Sequence, residues 1–260
     1  MSTDRKILRR MGLLKDQEGI MKRYLRENEG WKQHLENSRN FLLDSFPADH
    51  SDSRNSGMLL LLGSGWLLDV PLEELQKRFH TLCLADLHHP PQIRKKAEKM
   101  KGIKLVEADL SGGAISQTYA FIRGGSLTED QFLEGLRLSN PLEEFAPTAL
   151  ASVNLLSQLD GLLLEYMGRS LSLSSGFREA FRKRIQDFHV DWITTTPGCL
   201  ITDTRECFSG RSGKQEFREL LGTTLPDGQR SATWTWDFDR SGNYHSGALT
   251  TMEVNAVQWG

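Results

Sequence analysis

The sequence predicts an α/β fold: a doubly wound, mostly parallel sheet that ends in an antiparallel hairpin. Short, continuous apolar runs alternate with helical segments through most of the 260 residues, as parallel strands do when helices bury both faces of their sheet. Near the C-terminus, residues 231–238 and 249–259 have strand character with only a turn between them, which indicates a hairpin.

The N-terminal residues 4–45 predict two or three amphipathic helices, because apolar side chains recur there at helical spacing. The polar stretch that follows contains turn-forming residues and no periodic apolar positions, so we interpret it as a connector. We therefore expect an N-terminal helical lid or appendage at 1–45, a connector at 46–57 and a main domain at 58–260. Plain packing and dimerisation are the alternative roles for the helices.

The main domain carries the alternation of strands and helices. Five apolar runs have strand character: 58–62, 81–85, 103–108, a segment within 148–159, and 198–203. Helices are predicted between them at 71–79, 92–100 and 177–188. Strand, helix, strand, helix, strand is the opening of a doubly wound fold.

Composition narrows the classes of function. The formal net charge of -2 provides no global field for a polyanion, so nucleic acid is not an expected partner, and we interpret the basic run 94–104 as a solvated helix face. Three widely spaced cysteines and scattered histidines favour a reduced, cytoplasmic protein without a metal site. No apolar stretch approaches the roughly 18 residues of a membrane span, so none is expected.

The exit of the first strand is the most informative position. Gly63, Ser64 and Gly65 form the turn into the first helix of the sheet, where a doubly wound fold binds its ligand. Asp86 ends the second strand, near the roughly 20-residue spacing at which a carboxylate accepts the hydroxyls of a ribose. A tight turn and a helix cap are the structural alternatives for these residues taken singly.

The third strand adds a second acidic strand end. The carboxylate of Asp109 could accept a hydrogen bond from the amine of adenine, and Leu110 could pack on the ring. These positions together predict a nucleoside ligand.

The charge at the first helix favours a ligand without phosphate. Asp69, Glu73 and Glu74 crowd its start and would repel the pyrophosphate of NAD or the phosphates of ATP. S-adenosylmethionine (SAM) has no phosphate, and its ammonium group could bind Asp69. Leu67, standing where a GxGxG pattern has its third glycine, also counts against a dinucleotide.

With these motifs the chain resembles the class I SAM-dependent methyltransferases, in a divergent branch, over about residues 56–260. The resemblance lies in LLLLGSG, LCLAD, VEADL, VNLLSQL, LITD and the closing hairpin. It implies a seven-stranded sheet with the last strand inserted antiparallel, and SAM as the cofactor. Many members have an acid where this chain has Leu61, so Asp69 is expected to substitute for it.

The resemblance also implies roles for single residues. The methionine end of SAM would meet the glycine turn, the ribose Asp86, the adenine Asp109 and Leu110, and the methyl group Asn154. The acceptor is unidentified, with a small molecule favoured. The insertions 121–147 and 207–229 are expected to frame its pocket.

Methyl transfer depends on positioning of the two reactants and exclusion of water more than on a catalytic base. If the acceptor must lose a proton, the candidates are Tyr24, His34 and Asp203, with His189 and Glu206 behind them, and each of these also has an ordinary structural role. Two rival functions stay open: a non-catalytic SAM- or nucleoside-binding scaffold or sensor, and another nucleotide-dependent enzyme that uses NAD or a nucleotide sugar.

Overall fold

The computed structural model describes residues 4–47, 57–210 and 215–260. Most of the expected connector at 46–57 lies outside the described residues. Within the described part, no helix is both long and apolar enough to cross a lipid bilayer.

The described strands form one eight-stranded sheet with the order β3-β2-β1-β4-β5-β8-β7 and with β6 paired to β5. The strands are β1 Met58–Leu62, β2 Thr81–Asp86, β3 Ile103–Glu107, β4 Ala149–Val153, β5 Gly198–Ser209, β6 Gln215–Glu219, β7 Arg230–Asp239 and β8 Leu249–Trp259. β1 to β5 run parallel, and β8 runs antiparallel to both β5 and β7. The mostly parallel sheet and the antiparallel hairpin are confirmed.

The sheet has one strand more than the seven expected. All five residues of β6 are exposed, so its sequence, QEFRE, contains none of the buried apolar positions by which the other strands were recognised. It pairs with the second half of β5, Arg205–Ser209, beyond the point where β4 ends. Part of the expected insertion 207–229 is therefore this added strand.

Eight helices belong to the described residues: α1 Arg5–Met11, α2 Leu13–Ser45, α3 Leu72–Gln76, α4 Pro91–Ala97, α5 Ala114–Gly124, α6 Glu129–Gly135, α7 Gly161–Gly168 and α8 Ser175–Ile193. Alternate residues of the central strands point to opposite faces. Leu60 and Leu62 face the core layer of α5 to α8, whereas Leu59 and Leu61 face the layer that contains α2 and α3. Burial on both faces explains the continuous apolar runs of the sequence.

Helix α2 links the two layers. Leu13, at its start, packs in the α5–α8 layer together with α1, while Trp31 and Leu42 pack in the opposite layer against the hairpin. At Glu27 the helix bends, with φ -105° and ψ 17°. Side chains of α2 on both sides of this bend, Gln17 and His34, reach the carboxyl ends of the central strands.

Candidate functional site

The loop that leaves β1 is held against the ends of two neighbouring strands. Gly63 has a left-handed backbone (φ 80°), and its N–H donates to the carbonyl oxygen of Ala85 in β2 at 3.0 Å. A Cβ atom at Gly63 would run into the main-chain oxygen of Val153 in β4, so only glycine fits there. The loop therefore lies at the carboxyl ends of β2 and β4.

Backbone strain is concentrated around this loop. Leu67 has a φ of 56° and Asn154, directly after β4, a φ of 48°; they are the non-glycine residues with positive φ in the described part of the chain. Such a conformation costs about 1–2 kcal/mol per residue and recurs at functional sites. Leu67, where the GxGxG pattern has its third glycine, thus has a left-handed backbone conformation typical of glycine. The Ser64 side chain is buried, with Oγ 3.0 Å from Nε2 of His89.

Asp86, the last residue of β2, binds the loop through its carboxylate. Its Oδ2 accepts a hydrogen bond from the N–H of Gly65 and its Oδ1 one from the N–H of Leu87, both at 2.7 Å. Burial raises the pKa of Asp86 to about 6, although the main-chain donors lower it in part. The structure thus brings together the glycine turn and the acid that were paired from the sequence.

Gln17 of α2 lies against the same carboxylate. Its Nε2 donates to Oδ1 of Asp86 at 3.0 Å and to the main-chain oxygen of His88 at 2.5 Å. The indole N–H of Trp66, next to Gly65, donates to the main-chain oxygen of Gln17 at 2.7 Å. Sequence reasoning missed Gln17, since no local pattern links it to a residue 69 positions away.

Asp69 and Asn154, predicted from separate segments, are joined by a hydrogen bond. Nδ2 of Asn154 donates to Oδ2 of Asp69 at 2.6 Å. Burial raises the pKa of Asp69, and this bond offsets part of the shift. Oδ1 of Asn154 is buried without a hydrogen-bond partner among the described residues. A ligand that donates to this oxygen would therefore be stabilised.

His34 of α2 contacts the same pair. Its Nε2 lies 3.2 Å from Nδ2 of Asn154, and its Nδ1 accepts a hydrogen bond from the indole N–H of Trp234 at 3.1 Å. Its ring stacks on Trp236 with 3.9 Å between the ring centroids, and burial lowers the pKa of His34 to about 3. His34 is thus uncharged and held on several sides.

Asp109 and Leu110 follow β3, which ends at Glu107. The carboxylate of Asp109 accepts from the N–H of Ser111 at 3.0 Å and of Ile115 at 3.2 Å, and so holds the turn into α5. Burial raises the pKa of Asp109, and Leu110 is buried in the α5–α8 layer. The adenine contacts expected of this pair stay a prediction.

Tyr24 and Asp203, the candidate bases named beside His34, have different surroundings. The ring of Tyr24 packs against Trp31 with 5.9 Å between the centroids. Asp203 of β5 accepts a hydrogen bond from the hydroxyl of Ser157 at 2.8 Å, directly past the end of β4. Burial raises the pKa of Asp203, and the nearby charge of Glu206 adds to the shift.

Glu206 is a fully buried acid further along β5. Its Oε1 lies 2.8 Å from Nε2 of His245, and its Oε2 pairs with Arg218 of β6. Sequence reasoning named Glu206 but missed His245, because the contact exists only when the turn between β7 and β8 folds back onto β5.

The described residues offer no ready metal site. Across 4–47, 57–210 and 215–260, no three His, Cys, Asp or Glu side chains are grouped so that they could hold a metal ion. Cys83 and Cys199 are free and buried within the sheet, where burial raises the pKa of their thiols to about 11 and about 12.

The strand order identifies the type of fold. β1 to β5 are parallel, the order reverses between β1 and β4, and β8 is inserted antiparallel between β5 and β7. The sheet has the strand order of a class I methyltransferase-like fold. No protein-family model and no curated protein matches the sequence.

Solved structures with a similar fold are distant in sequence. One is the Burkholderia thailandensis 1,6-didemethyltoxoflavin-N1-methyltransferase with bound 1,6-didemethyltoxoflavin and S-adenosylhomocysteine (SAH). It has 10% identity and a TM-score of 0.41, and the match covers 94% of this chain and 87% of that chain. Another is a DhpI-SAM-HEP complex, with 10% identity, a TM-score of 0.37 and coverage of 93% and 97%. A SAM-dependent methyltransferase from Mesorhizobium loti has 12% identity, a TM-score of 0.32 and coverage of 83% and 95%.

Proposed function

We propose that this protein transfers the methyl group of SAM to a small-molecule acceptor. The observation that carries the proposal is the hydrogen bond from the N–H of Gly65 to the carboxylate of Asp86. It lies at the carboxyl ends of the strands, beside the point where the strand order reverses. A ligand of a doubly wound sheet binds in this crevice, and a strand-end carboxylate there accepts ribose hydroxyls.

The charges near the loop favour SAM over a dinucleotide. α3 has only five residues, and Glu73 and Glu74 lie in its first turn. A pyrophosphate would therefore meet a short helix dipole that two carboxylates already offset. The ammonium and sulfonium groups of SAM would instead be attracted to Asp69 and its neighbours.

Each part of SAM has matching residues in the proposal. Asp86 would hold the ribose, and Asp69 with the unpartnered oxygen of Asn154 would hold the ammonium group. The Gly63–Gly65 turn, whose N–H groups donate to Ala85 and Asp86, would line the methionine end of SAM. Asp109 with Leu110 would hold the adenine. Bound SAM supplies a methyl group on a sulfonium whose charge is lost on transfer.

The remaining task of the chain is to align the acceptor and exclude water. α2 is suited to exclude water because Gln17 and His34 both reach over the strand ends. For an acceptor that must lose a proton, we favour Asp203 as the base, since it lies past the end of β4 and burial raises its pKa. The contacts of His34 suit a positioning role, and Tyr24 is the remaining candidate base.

Calorimetric titration with SAM, SAH and NAD tests the proposal. We expect saturable binding of SAM and SAH, no binding of NAD, and at least tenfold weaker binding of SAH by Asp86→Asn. The exposed Asp191→Asn, on α8, is the matched control and should bind as the wild type does. A folded wild-type protein that binds neither SAM nor SAH, or that binds NAD instead, would contradict the proposal.

A further inference from the structure

Gln17 places the donor group of its side chain where the proposed cofactor needs to bind. Its Nε2 lies 3.0 Å from Oδ1 of Asp86, the carboxylate assigned to the ribose. Resting on the proposed function, we propose that Gln17 is a residue of the nucleoside site. It holds Asp86 in place of the ribose hydroxyls until the cofactor displaces it.

The number of donors on Asp86 supports displacement. The carboxylate already accepts from the main-chain N–H groups of Gly65, Leu87 and His88 and from the side chain of Gln17. An ionised carboxylate has about four lone-pair sites, and a ribose diol would bring two more O–H donors. Four protein donors already fill this capacity, so at least one of them has to leave when the ribose binds.

Gln17 is the donor that can leave. The N–H groups of Gly65, Leu87 and His88 belong to the main chain, and their positions are fixed by the loop after β1 and by the end of β2. The donor of Gln17 is the end of a flexible side chain on a different segment. It can rotate away without disturbing the strands, although it then also gives up the main-chain oxygen of His88.

The contact is more than a chance approach of two surfaces. The Gln17 side chain makes two hydrogen bonds, and its main-chain oxygen accepts a third from Trp66 of the glycine loop. The helix segment is also anchored by α1, whose Leu8 and Met11 are buried in the α5–α8 layer. Gln17 is therefore held at Asp86 from both sides, and cofactor binding has to compete with it.

Competition of this kind lowers the apparent affinity of the cofactor. Only protein molecules in which Gln17 has left Asp86 can bind the cofactor. The apparent dissociation constant is therefore the intrinsic one divided by the fraction of such molecules. Breaking a hydrogen bond to a charged group changes such an equilibrium constant by about tenfold or more. We therefore expect Gln17→Ala to bind SAH roughly tenfold more tightly than the wild type, mainly through faster association.

The experiment is SAH binding to the wild type, Gln17→Ala and Gln33→Ala, by calorimetry and by stopped-flow tryptophan fluorescence, to which Trp66 contributes. Gln33 lies on the same helix, is exposed and bonds only to Asn37 among the described contacts, so its loss controls for helix composition. Tighter binding by Gln17→Ala with an unchanged Gln33→Ala supports the proposal. Thermal melting of all three proteins checks that each is folded.

Two results overturn the proposal in distinguishable ways. If the wild type binds SAH and Gln17→Ala binds it equally or more weakly, Gln17 does not compete with the ribose, and the proposed function survives. If no folded variant binds SAM or SAH, the proposed function itself fails and the role of Gln17 falls with it.

Discussion

Replacing Gly63 by alanine tests the geometry of the loop after β1. Two costs add in this substitution. Gly63 has a φ of 80°, and an alanine in this left-handed region costs about 1–2 kcal/mol. The new Cβ would also run into the main-chain oxygen of Val153, which has no rotamer through which to move away. Overpacking of this kind costs about 1–3 kcal/mol.

We therefore expect Gly63→Ala to lower the free energy of unfolding by about 2–5 kcal/mol, the sum of the two ranges. Equilibrium unfolding in urea, followed by far-ultraviolet circular dichroism, measures the change. Gly19→Ala is the matched control: Gly19 is inside α2, and an added Cβ meets no atom within 4 Å. Alanine there should stabilise the protein by about 0.5–1 kcal/mol. A Gly63→Ala protein as stable as the wild type would refute the described loop geometry.

Two further predictions concern the cluster under α2. Burial lowers the pKa of His34 from 6.5 to about 3. As the pH drops through 6.5, this histidine is protonated in the unfolded chain and not in the folded protein. Acidification therefore lowers the free energy of unfolding. Between pH 6.5 and pH 5 the free energy of unfolding of His34→Gln should fall by about 1.6 kcal/mol less than that of the wild type in urea titrations. An unchanged pH dependence would argue against a buried, neutral His34. Trp236 is buried against His34 and Trp31, so Trp236→Ala should cost about 3–5 kcal/mol. Trp236→Phe should cost much less, because the indole N–H has no partner among the described residues; similar losses for both would contradict this packing.

The sequence predicts the strands well where burial dominates. β1 is apolar at every position because helices cover both of its faces, and such a run has few other interpretations. β6 could not be predicted in this way, since all of its residues are exposed and it forms only because β5 extends past β4. Its pairing is a consequence of the tertiary structure.

In the candidate site, too, contacts set by neighbouring strands could be predicted, whereas contacts set by tertiary packing could not. The pairing of Gly65 with Asp86 could be predicted, because adjacent parallel strands bring their carboxyl ends together at a regular spacing. The contact of Trp234 with His34 joins residues 200 positions apart and depends on how α2 crosses the sheet. Trp234 lies in the predicted hairpin segment 231–238, and no local signal in that segment could have shown its bond to His34.

The most direct test of the central claim is methyl transfer itself. The purified protein would be incubated with SAM labelled in its methyl group and with a cell extract separated into small-molecule, protein and nucleic-acid fractions. We predict label in a compound of the small-molecule fraction, with transfer greatly reduced in Asp86→Asn and unchanged in Asp191→Asn. Saturable SAM binding without label in any fraction would contradict the enzymatic claim and would favour a SAM-binding scaffold on the same fold.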